Sequence, residues 1–152
     1  MRKFLAIFLV FWSGTAFAGT GYYVTFVNRQ SVPIELSPGG SDHWYLEDFG
    51  DVTVIPAGQT RTLYTESGLV MNGIVGLNIS GGAYEGSHLE LWKDDAEHSV
   101  TQSIREVDFR QNSDQVSVDR FMIGTNNEAI RTAIGLRPDG SYNTIHATVI
   151  FP

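Results

Sequence analysis

Apolar and polar residues alternate with a period of two along most of this chain, in short runs separated by turn clusters. The pattern predicts a first strand from Tyr22 to Asn28, with Tyr22, Val24 and Phe26 on one face, then a second from Val32 to Leu36, where Pro33 suits an edge position or a strand start. Ser37-Pro38-Gly39-Gly40 predicts a long loop reaching Asp51. Val52 to Ile55 and Thr60 to Thr65 are expected to form a hairpin about Pro56-Ala57-Gly58. Gly73 to Ser80 follows, with Val75, Leu77 and Ile79 sharing a face. Ser87 to Lys93 turns Leu89 and Leu91 inward and His88, Glu90 and Trp92 outward.

Asp94 to His98 reads as a polar loop, and Ser99 to Phe109 as a further extended segment. Gln115 to Met122 is another strand, in which Arg120 breaks the alternation and suggests a bulge. Ala129 to Arg137 and Ser141 to Phe151 are expected to close the chain as a hairpin about Pro138-Asp139-Gly140. A short stretch from Thr125 to Thr132 is the one segment that could be helical. Roughly ten short strands at such spacing predict an all-β fold, a single antiparallel β-sandwich.

The first eighteen residues depart from this pattern. Arg2 and Lys3 precede an apolar run from Phe4 to Trp12, and Ala16-Phe17-Ala18 supplies a small-x-small end. This is the layout of a cleaved signal peptide, and the run is well short of the roughly 20 residues of a membrane anchor. Residues 1–18 are therefore expected to direct export and to be removed, to the periplasm or the medium. The 152 residues minus these 18 leave 134, one sandwich domain over 19–152 with no transmembrane helix. There is no cysteine, so neither a disulfide nor a thiolate site is available. Without Arg2 and Lys3, 8 Lys and Arg face 17 Asp and Glu, a net charge of −9. Such a surface repels nucleic-acid phosphates and disfavours purely electrostatic docking on anionic lipid, which leaves open a basic protein partner or a neutral headgroup.

Chemistry is sparse. His43 lies between Asp42 and the pair Glu47 and Asp48 in the predicted loop, without a fixed mutual geometry. His88 and Glu90 share a strand face, where they could hold a proton or a zinc ion if a third ligand joined them. His98 follows Asp94-Asp95-Ala96-Glu97, which lacks the spacing of a calcium loop, and His146 alternates outward from the last strand. No G-x-S-x-G elbow and no phosphate loop occurs. A non-enzymatic protein without a cofactor or metal is expected.

Aromatic residues are the better candidates for contact. His43-Trp44-Tyr45 falls in the long predicted loop, Tyr84 in a glycine-rich turn, and Trp92 on an outward position. Trp44, Tyr45, Tyr84 and Trp92 are the expected binding residues, since Trp and Tyr join a large apolar surface to a polar tip.

Two resemblances bear on what they would bind. Val24-Thr25-Phe26-Val27-Asn28, followed by an aromatic and acidic loop and by Ile55-Pro56-Ala57-Gly58, resembles the aegerolysins, small cytolytic β-sandwiches, over residues 22–80. That likeness implies recognition of membrane lipid, with a partner in pore formation. The leader is a departure, and no lipid-binding residue of the family transfers. Ser80-Gly81-Gly82-Ala83-Tyr84, followed by Trp92, is similar to the Ser-Gly-x-x-Tyr loop of periplasmic lysozyme inhibitors. That likeness implies a loop that enters an enzyme cleft and engages its carboxylates. This chain lacks that family's cysteines and continues well beyond the match. Lipid recognition by aromatic loops is thus the first expectation. The second is an inhibitor or immunity protein that meets a basic toxin or wall hydrolase.

Overall fold

The computed structural model describes residues 19–68, 72–110, 118–136 and 144–152. The leader-like segment and the Pro138-Asp139-Gly140 turn lie outside them. Among the described residues eleven strands form: β1 (Gly21–Asn28), β2 (Ile34–Asp42), β3 (Trp44–Tyr45), β4 (Thr53–Ile55), β5 (Thr60–Ser67), β6 (Gly73–Ser80), β7 (Ser87–Lys93), β8 (Gln102–Arg110), β9 (Val118–Thr125), β10 (Arg131–Leu136) and β11 (Thr144–Phe151). A five-stranded sheet runs β10-β11-β1-β5-β3 and a six-stranded sheet runs β4-β2-β6-β7-β9-β8. The fold is the expected all-β sandwich. No described helix is long and apolar enough to cross a membrane.

Period-two alternation explains the core. Tyr22, Val24 and Phe26 of β1 and Ile145, Ala147, Val149 and Phe151 of β11 point into one interior. Leu36, Val75, Leu77, Ile79, Leu89, Leu91, Phe121 and Ile123 meet them from the other sheet. Phe49, carried by a 3-10 turn at Glu47–Gly50, plugs one flank and packs on Phe26. Burying each such side chain contributes on the order of 1.5–3 kcal/mol.

Four expectations need correction. The turn at 56–58 is present, with Gln59 donating to the Pro56 carbonyl, but β4 pairs with β2 while β5 pairs with β1 and β3. The segment is therefore an arch between sheets and not a hairpin. Nor does Pro38-Gly39-Gly40 end a strand: β2 continues past it with a register shift between Pro38 and Ser41. The irregularity expected at Arg120 lies instead on the partner strand, between Gln102 and Arg105. The 125–132 stretch forms a turn and the start of β10, with no helix. The expected β10–β11 antiparallel pair does form. Beside it, β11 also pairs in parallel with β1, Gly21 to Asn28 against Thr144 to Phe151.

Candidate functional site

The end of the sandwich where β2 finishes, β6 starts and β7 finishes carries a cluster of acidic residues. A cleft of about 450 Å³ is bordered by Asp42, His43, Asn72, Asp95 and Glu97. A second of about 450 Å³ shares Asn72 and Asp95 with it and adds Asp94, Asp108 and Arg120. Across the two, five carboxylates face one guanidinium and one imidazole. Both nitrogen-bearing groups are engaged locally: His43 Nδ1 is 3.2 Å from Asp42 and Arg120 Nε is 3.7 Å from Asp108. His43 and Asp94 both hold left-handed backbone, φ 50° and 52°, which residues with a Cβ adopt at a cost. Asp94 is fixed there because its amide donates to the Arg120 carbonyl while its carboxylate accepts from the Arg120 amide.

Beneath this end, alternation carries Lys93 inward. It is buried, 3.2 Å from Asp119 and over the ring of Phe121. The Tyr22 hydroxyl is also buried and is the one such side-chain atom among the described residues without a hydrogen-bond partner. Burial first, then the carboxylates of Asp119 and Asp94, push it well above the ordinary phenol value.

The four expected contact residues are not brought together. Trp44 is buried against Tyr22, with its indole N–H donating to Thr65 Oγ1 at 2.9 Å. Tyr84 is buried against Phe151, and its hydroxyl donates to the Pro152 carbonyl at 3.0 Å. Tyr45 alone is open, 60% exposed on β3. Trp92 does point away from the core, as its parity requires, yet it is 1% exposed. The chain between β7 and β8 folds back over it, so the expectation of an exposed indole is corrected.

That covering segment organises the second polar site. His98, expected in a solvated loop, stacks on Trp92 with ring centroids 4.2 Å apart. Glu90, on the same outer face, is buried and accepts hydrogen bonds from the Ser99 amide at 2.9 Å, the Ser99 hydroxyl and the Val100 amide at 3.3 Å. His88 Nε2 lies 3.2 Å from the Glu90 carboxylate and its Nδ1 3.0 Å from Asn78 Oδ1. Burial pushes the Glu90 carboxyl up, but the bonds from Ser99 and Val100 and the His88 ring outweigh it, leaving it below the usual value.

Seen as chemistry, the set does not activate a nucleophile. The Ser99 hydroxyl donates to the Glu90 carboxylate and not to an imidazole, and a carboxylate held below its usual value is a weak base for a serine proton. The third ligand that His88 and Glu90 would need for zinc is also missing: no group of three metal-ligating side chains occurs among the described residues. Asn78 and Ser99 were not foreseen as partners, because alternation along a strand gives the face of a side chain but not which neighbour across the ladder or in the following loop meets it. Comparison of the chain with protein-family models, with curated proteins and with solved structures finds no match in any of the three.

Proposed function

We propose that this chain is an exported, non-enzymatic binding protein whose acidic end engages a basic protein, as an inhibitor or immunity protein does. The observation that carries the reading is the double cleft, where Asp42, Asp94, Asp95, Glu97 and Asp108 surround Asn72 with Arg120 as the one guanidinium. Fixed carboxylates of one sign in a concave surface raise the local concentration of a cationic partner and accelerate encounter. Calorimetric titration against a panel of basic wall hydrolases, a C-type lysozyme included, tests it. The expected result is binding that weakens about tenfold or more between about 50 and 300 mM salt and is lost in Asp95→Asn/Glu97→Gln. No binding to any member, or binding indifferent to that double substitution, overturns the reading.

One observation favours lipid recognition as the second reading. Tyr45 and Val52, 60% and 61% exposed, flank the 3-10 turn that carries Phe49. With Trp44, Tyr84 and Trp92 engaged internally, attachment would fall to this rim. Liposome co-sedimentation that survives high salt and is lost in Tyr45→Ser supports it, and indifference to all neutral and anionic lipid mixtures removes it.

A further inference from the structure

Residues 94–103 begin and end in an unusual backbone state. Asp94 and Ser103 are both left-handed, φ 52° each, although neither is glycine. Both ends are also tied down. Asp94 exchanges hydrogen bonds with Arg120 of β9, and the Ser103 carbonyl accepts from Thr132 Oγ1 of β10 at 2.6 Å. Between these points the segment crosses the outer face of the six-stranded sheet. It touches down where Glu90 takes the Ser99 and Val100 amides and where His98 covers Trp92.

The sheet is shaped to receive it. Glu90 is flanked across the ladder by Gly76 on β6 and Gly124 on β9, so no neighbouring side chain stands in the row. A Cβ at Gly124 would lie 3.0 Å from Val100 Cγ2, 3.1 Å from the Trp92 indole and 3.2 Å from Ile104 Cγ1. The glycine thus leaves room for the crossing segment to sit on the indole. Val100 is 1% exposed as a result.

We propose that residues 94–103 are a strap, hinged at Asp94 and Ser103 and latched shut by the Glu90 carboxylate, whose release lifts Val100 away and uncovers an apolar bed of Trp92 and Ile104. The ionisable group facing the latch among the described residues is His88 on its own strand; His98 on the strap stacks on Trp92, and Gly76 and Gly124 bring no charge from the flanking strands. His88 is held independently by Asn78 and by Asn126, which accepts from its amide at 2.7 Å. It therefore orients the carboxylate without being part of what moves. The proposal concerns the strap alone and holds whatever the acidic clefts bind.

Hydrogen exchange at neutral pH tests it, on the full chain and on two variants that act differently. Glu90→Gln removes the charge of the latch, and Gly124→Ala wedges the bed with Glu90 intact. In both, the amides of residues 96–101 are expected to exchange about tenfold or more faster, while β1, β5 and β11 keep their protection. The His98 ring protons lose their upfield shift from the indole in parallel. Unchanged strap exchange in both variants overturns the proposal. So does loss of protection in the strap and both sheets together, which would make Glu90 part of one cooperative core.

Discussion

Asn28 ends β1 as a buried amide that joins three segments. Its side-chain nitrogen lies 2.8 Å from the Val32 carbonyl, 3.0 Å from that of Ile55 and 3.2 Å from that of Pro56. Its oxygen accepts from the Gln30 amide at 2.9 Å. The NH₂ group thus pins the β1–β2 turn and the arch between the sheets to one point, sharing two hydrogens among three acceptors. Asn28→Ala deletes those donors and the acceptor of the Gln30 amide, and at about 1–1.5 kcal/mol per lost bond the expected loss is about 3 kcal/mol. In a domain of this size that corresponds to a fall in Tm of roughly 10 °C. Asn28→Asp is nearly isosteric but points a carboxylate at three carbonyl oxygens, so it should cost more than Ala at pH 7 and recover as the carboxyl is protonated in acid. Urea unfolding followed by far-UV circular dichroism measures both. A loss below about 0.5 kcal/mol for Ala, or an Asp variant as stable as Ala at neutral pH, would refute the reasoning.

Three further outcomes are expected. Tyr22→Phe removes a buried hydroxyl with no hydrogen-bond partner among the described residues, so stability should hold or rise by up to roughly 1 kcal/mol in the same urea assay. Lys93→Met removes the buried ammonium 3.2 Å from Asp119 and should cost about 3 kcal/mol, part of which returns when Asp119→Asn is added. Because the folded Glu90 carboxyl is held below its ordinary value, its contribution is fully present above about 4.5 and lost as pH falls below that through the folded value. Thermal melts of wild type and Glu90→Gln should therefore differ at neutral pH and converge in acid.

Legibility in the sequence followed the strength of the alternation. β6 and β7 begin and end where the pattern predicts, at Gly73–Ser80 and Ser87–Lys93, because neither contains a proline or a charge on its inner face before Lys93. Pro38-Gly39-Gly40 misled for a physical reason. The bulge it creates keeps β2 in the sheet, and Gly39 is required because a Cβ there would lie 2.6 Å from the His88 ring. A turn signal states that the chain reverses, not which sheet it enters, so the 56–58 arch was indistinguishable from a hairpin. Parity likewise gives the direction of Trp92 but not what covers it. The strap, the Asn28 junction and the acidic clefts each join residues from distant segments, and such a meeting has no local signature.

The parallel pairing of β1 with β11 has a consequence for how the molecule is made. Since β11 sits between β10 and β1, half of the sandwich waits for a strand translated after every other described one. Until then β1 has an open edge and the apolar face it shares with β5 is incompletely covered. Closure thus depends on joining the first and last of the described strands, which makes folding late, slow and close to all-or-none. A chain interrupted anywhere before Thr144 should be a substrate for chaperones and proteases, not a smaller working domain.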